Sequence, residues 1–97
     1  MRPRAIDVKA MENYKLLLTF DNNEKRIFDV TPYLKYKQFE KLKNPNIFKT
    51  VKIAGLSIEW IGEIDICPDE LYNNSVLVNS WIVKNKYNFM FFWYFII

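Results

Sequence analysis

The chain has 97 residues, of which 51% are hydrophobic, 26% charged and 18% aromatic, with no His and one Cys. A chain of this length buries a single core. Its composition excludes disorder throughout, and the lack of His with a lone Cys67 excludes a His/Cys zinc site or an internal disulfide. The formal net charge is +3, yet the first 75 residues hold 12 basic against 11 acidic groups, so the basic pI is no nucleic-acid signature of that part. Eight of the 17 aromatic residues lie between Val76 and Ile97. Residues 1–75 are therefore read as one domain and residues 76–97 as an apolar, aromatic-rich extension.

Ala5 to Ala10 alternates with period two, placing Ile6, Val8 and Ala10 on one side of a strand. Tyr14 to Phe20 is a second strand with Tyr14, Leu16, Leu18 and Phe20 on one face. Asp21-Asn22-Asn23-Glu24 reads as a tight turn, because Asn tolerates the left-handed backbone that hairpins require. Lys25 to Val30 returns as a third strand, and Asp29 is expected to close it by local hydrogen bonding before Thr31-Pro32. A short helix from about Gln38 to Lys43 places Phe39 and Leu42 on one face. Asn44 caps a further turn opened by Pro45, with Ile47 and Phe48 inward.

Lys49 to Ala54 and Leu56 to Ile61 are two more strands, turning at Gly55, with Leu56, Ile58 and Trp60 on one face. Gly62 breaks the second. Ile64 and Ile66 alternate again, and Pro68 to Tyr72 is a helical turn with acids suited to its positive end. The expected class is α+β: a small antiparallel sheet, built from a three-strand meander and two further strands, with helix packed on one face.

The spacing of Phe20-Asp21-Asn22-Asn23-Glu24, Phe28-Asp29-Val30, Tyr33-Leu34, Phe39-Glu40-Lys41-Leu42, Phe48, Ile58-Glu59-Trp60 and Asp65-Ile66-Cys67-Pro68-Asp69-Glu70-Leu71-Tyr72 resembles the DUF2442 family of small bacterial proteins of unknown function. The resemblance runs from about Arg4 to Asn74, and the piece from Trp60 to Tyr72 is its most specific part. Asn23 stands where the family usually has Gly, and Asn is the residue best able to replace it at positive φ. The resemblance implies a compact three-strand, helix, two-strand domain. It also implies a genomic neighbour, a second small family (DUF4160), in the manner of a toxin–antitoxin-type pair, and some members precede a helix-turn-helix. It carries over no catalytic residue.

Three chemistries compete with structural readings. Glu59, Glu63, Asp65, Asp69 and Glu70 supply oxygen ligands for an acidic metal site only if they converge. Glu59 and Glu63 are expected to face away from Asp65, with Asp69 and Glu70 at a helix start, so a solvated face is the plainer reading. Lys35, Lys37, Lys41, Lys43, Lys49 and Lys52, with Tyr33, Tyr36 and Phe39 between them, mix phosphate contact with base stacking. The plainer reading is lysines in water and aromatics packed inward. Cys67 has no His partner for nucleophilic catalysis and reads as a small buried side chain. With only Gly55 and Gly62, neither a P-loop nor a dinucleotide motif is present.

The run Phe89 to Ile97 is too short to cross a bilayer, which takes about 20 apolar residues. It is read as an added strand, a partner or self-association surface, or a late extension of the reading frame. Arg2 to Lys9 has no apolar signal segment, and one unpaired Cys fits a reducing cytoplasm. The expectation is thus a small cytoplasmic protein-interaction domain, antitoxin-like, with no cofactor and no catalysis. Its partner would be a protein, such as the product of an adjacent gene, or a second copy. The surface expected to serve it comprises Trp60, Asp65, Asp69, Tyr72, Trp81 and Trp93. The alternatives are a nucleic-acid binder using Lys35 to Lys52, and an enzyme with an acidic metal site near Asp65 and Asp69.

Overall fold

A computed structural model describes residues 2–78. Strands β1 (Ala5–Ala10), β2 (Lys15–Phe20) and β3 (Lys25–Asp29) form an antiparallel meander. Two 3-10 segments, Thr31–Tyr33 and Lys37–Lys43, lead to the short helix α1 (Pro45–Phe48). Strands β4 (Lys52–Ala54), β5 (Ser57–Trp60) and β6 (Ile64–Ile66) form a second antiparallel sheet. Helix α2 (Pro68–Asn73) then carries the chain to β7 (Val76–Leu77), which pairs antiparallel with β3 and completes a four-stranded sheet in the order β1-β2-β3-β7. The class is α+β. The division into two sheets and the strand β6 are what the structure adds to the sequence reading.

One core joins the sheets. Leu16, Leu18 and Phe20 of β2 and Phe28 of β3 meet Ile58 and Trp60 of β5, Ile64 and Ile66 of β6, and Leu42, Phe48 and Leu71 from the helical segments. The alternation of β2 survives intact because every second residue faces this core. Leu42 and Phe39 lie three apart in a 3-10 segment, where such positions eclipse, so Leu42 is buried and Phe39 packs half-buried beside it. The Asn44 side chain accepts from the Asn46 N–H at 2.9 Å, as a cap should. Asp29 accepts from the Thr31 N–H at 2.9 Å and closes β3.

Four expectations are corrected. Register shifts in β1 so that Ala5 faces Phe20 and Asp7 faces Thr19; Ile6 is the extra residue of a bulge and is 51% exposed, while Ala5 is buried. The strand β2 starts at Lys15, because Asn13 and Tyr14 hold φ of 61° and 60°. The fourth strand starts at Lys52 and the fifth ends at Trp60, which leaves Leu56 and Ile61 as exposed turn residues. Cys67 is exposed, since it stands between β6 and α2 where the strand phase is lost.

Candidate functional site

The turn between β1 and β2 builds a cleft. Met11 N–H donates to the Lys15 carbonyl at 2.8 Å, and of the three residues between them Asn13 and Tyr14 are left-handed. For a bulky side chain such as Tyr this conformation is a real outlier and costs about 1–3 kcal/mol. Tertiary contacts hold it. The Tyr14 carbonyl accepts from the Val30 N–H at 2.9 Å, its hydroxyl donates to the Lys43 carbonyl at 2.5 Å, and its ring meets Phe48 edge-on at 5.3 Å. The result is an open cleft of about 460 Å³ lined by Ala10, Met11, Tyr14, Pro45 and Phe48 together with the polar Glu12, Asn13 and Lys49. Its walls are mainly aromatic and aliphatic, which suits an apolar side chain approaching from outside.

Charge is segregated along the chain. Residues 31–52 hold six Lys and one acid, Glu40, whereas residues 53–75 hold five acids and no base. All six lysines are exposed. Tyr33 and Phe39 pack on the core, their rings 5.6 Å apart, so two of the three interleaved aromatics are unavailable for stacking. Tyr36 is 49% exposed, with the Lys35 ammonium 5.3 Å from its ring centre.

The acids are arranged differently from expectation. Glu59 and Asp65 sit directly opposite each other in the β5–β6 pair, so they share a face; Glu59 also faces Lys52, at 3.9 Å. The cause is the loop of residues 61–63, whose length pairs Trp60 with Ile64 and hence Glu59 with Asp65. Asp69 is engaged elsewhere, 2.7 Å from the Arg2 guanidinium. Among the described residues, no three His, Cys, Asp or Glu side chains are grouped to hold a metal ion.

Of the residues expected to form an interaction surface, Trp60 is withdrawn into the core. It is 1% exposed, and its indole N–H donates to the Phe48 carbonyl at 3.0 Å. Asp65 and Asp69 are exposed on separate elements, and Tyr72 is half-buried. Trp81 and Trp93 lie outside the described residues. Tyr72 belongs to a polar latch that the sequence did not announce. Arg26 donates from Nε to Ser75 Oγ at 2.7 Å, from a terminal nitrogen to the Ser75 carbonyl at 3.1 Å and from the other to Glu24 Oε1 at 3.0 Å. The Tyr72 hydroxyl donates to that same Glu24 oxygen at 2.8 Å, under a guanidinium 4.4 Å from the Tyr72 ring centre.

These bonds move two ionisations. Hydrogen bonding with Asn22 and then with Tyr72 holds the Glu24 carboxyl below its ordinary 4.5, and Arg26 adds to the effect. The bond to Glu24, and then burial, raises the Tyr72 phenol above 10.0. Tyr33 is raised as well, first by burial and then by Glu70. Reading the chain in one dimension missed both cleft and latch. Asn13 was a signal for a left-handed turn, but nothing local marks Tyr14 as left-handed.

The fold and its surfaces define a small α+β domain of two antiparallel sheets on one core. The family model described as "Protein of unknown function (DUF2442)" matches residues 5–76, and the chain belongs to that family. No curated protein and no solved structure matched the chain. Among the described residues, no helix is long and apolar enough to cross a membrane.

Proposed function

We propose that this chain is a protein-interaction module of the cytoplasm, a binding protein and not an enzyme, whose docking site is the cleft between the β1–β2 turn and α1. The observation that carries this reading is the paired left-handed residues Asn13 and Tyr14, a strained arrangement retained in the wall of an open apolar cleft. An interaction role of the toxin–antitoxin type draws support from the gene neighbourhood that the family resemblance implies. It is a context argument, and the cleft supplies its physical counterpart. The test is co-expression with the product of the adjacent gene. The pair should co-purify, and Met11→Glu, which places a charge at the cleft mouth, should weaken it about tenfold or more. Unchanged binding by this variant sinks the cleft as the docking site.

A second reading rests on exposed Tyr36 beside Lys35, on a segment with five further lysines. Stacking plus phosphate contact would bind a single strand of nucleic acid, with affinity falling steeply as salt rises. An oligonucleotide titration in which Tyr36→Ala changes nothing removes it.

A further inference from the structure

The four-stranded sheet has a second face. Leu16, Leu18, Phe20 and Phe28 point into the shared core, so alternation turns Leu17 of β2 and Ile27 of β3 the other way. Leu17 stands opposite Ile27, and Ile27 opposite Val76, so one apolar row crosses β2, β3 and β7. None of the three belongs to the core cluster. The rows beside it are polar: the Lys25 ammonium donates to Thr19 Oγ1 at 3.0 Å, and Lys15 pairs with Asp29 at 3.7 Å. Lys9, opposite Leu17, closes the row at β1. The outer face of an antiparallel sheet is commonly polar and wet. Ile27 breaks that pattern, being 4% exposed on the side away from the core.

The row is too narrow to hold a separate molecule: three side chains fall far short of the about 800 Å² a side that stable protein pairs bury. A segment tethered beside it needs no such area, because its association is intramolecular. The chain supplies one. Val76 belongs to the row, and residues 79–97, which follow three positions later, hold eight aromatic side chains and no acid. Residues 79–88 bridge about 15 Å as helix and about 33 Å as extended chain. Four strands are only about 15 Å across, so residues 89–97 reach the row in either case. Lys9, Lys15 and Lys25 around the row suit aromatic faces, which attract ammonium groups. We propose that the outer face of the four-stranded sheet is the docking surface of the chain's own residues 79–97, with the apolar run of residues 89–97 laid over Leu17, Ile27 and Val76. This goes beyond the reading of the cleft and does not depend on it.

The test is isotope-filtered nuclear Overhauser spectroscopy on the full chain with labelled Ile, Leu and Val methyl groups. The methyls of Leu17, Ile27 and Val76 should contact aromatic rings of residues 89–95, and dilution should leave the contacts unchanged. In a mixture of methyl-labelled and ring-labelled copies the contacts should be absent. Leu17→Lys should abolish them and speed chymotrypsin cutting within residues 79–97 about tenfold or more, since cutting follows the population of the open form. Circular dichroism establishes that the variant is folded. If it is not, Leu17→Thr takes its place, because Thr removes most of the apolar contact and still favours a strand. No contact from these methyls in the folded chain, or cutting that neither substitution changes, overturns the proposal. Contacts found only between differently labelled copies overturn it as well, and make a second chain the occupant of the face.

Discussion

The two sheets share a core but differ in how they are held. The four-stranded sheet has a two-strand hairpin with five paired positions between β2 and β3, and the Arg26 latch fixes its last strand. The three-stranded sheet has strands of three or four residues. Its turns carry exposed apolar tips, Leu56 and Ile61, and positive φ at Gly55, Gly62 and Glu63. It holds its place through inward anchors: the Trp60 indole bonded to the Phe48 carbonyl, and the Ser57 hydroxyl bonded to the Ile66 carbonyl. Both sheets bury side chains in the shared core, and the first adds a longer ladder to them. Short strands on strong anchors leave turns free to present side chains, here Leu56 and Ile61.

Removing an anchor should therefore have the largest effect. Trp60→Ala deletes a side chain that is wholly buried, stacked 6.1 Å from Phe48 and hydrogen-bonded to it. A loss of about 3–5 kcal/mol is expected in urea unfolding, with one cooperative transition. A loss below about 1 kcal/mol would mean that the small sheet is an appendage and not part of the core. Next comes Arg26→Ala, which should cost about 1–3 kcal/mol because it leaves Ser75 and Glu24 without their charged partner. Hydrogen exchange at Ile27 and Leu77 should then speed up relative to β2. Arg26→Lys should fail to restore it, since a single ammonium cannot replace a fork that reaches both Ser75 and Glu24. Equal protection of β7 in all three proteins would show that the latch is idle.

Acid should act on the same latch, by less. The carboxyl of Glu24 is held below 4.5, so the ionised form is favoured in the folded state. Its contribution is present above the ordinary value and is lost as pH falls through the lowered one. The Tyr72 phenol runs the other way: raised above 10.0, it favours the neutral form, and its contribution is lost as pH rises through the raised value. Urea midpoints across both ranges should show the two losses, and Glu24→Gln should flatten the acid one. An acid profile unchanged in Glu24→Gln removes Glu24 from the account.

Much of the first sheet was legible because its causes are local. Alternation in β2, the Asn22-Asn23 turn, the Asp29 closure and the Asn44 cap each depend on neighbours in sequence. What was not legible depends on partners far away. The bulge that turns Ile6 outward is a matter of register with β2, and the left-handed Tyr14 is held by Val30, Lys43 and Phe48. Whether Glu59 and Asp65 share a face depends on how many residues the loop between them takes, which alternation alone does not tell. The site suffered most for this reason. Trp60 reads most simply as core although Trp also suits an interface, and its burial with the indole N–H on the Phe48 carbonyl decides for the core.

The smallest effects should come from the turns, and they sharpen the comparison between the sheets. Asn23 at φ 70° closes the β2–β3 turn, and Glu63 at φ 63° closes the β5–β6 turn. Asn adopts the left-handed region with little strain, whereas Glu does not. Glycine would remove the strain at either site but adds chain entropy to the unfolded state, a loss of about 0.5–1 kcal/mol. At Asn23 the two effects nearly cancel, so Asn23→Gly should shift stability by less than about 0.5 kcal/mol. At Glu63 the relief of about 1–2 kcal/mol is larger, and Glu63→Gly should stabilise by a few tenths to about 1 kcal/mol. Urea midpoints taken at one low protein concentration separate the two. If Glu63→Gly destabilises while Asn23→Gly does not, the Glu63 side chain makes a favourable interaction that outweighs its strain, and the smaller sheet's turns are held by more than backbone geometry.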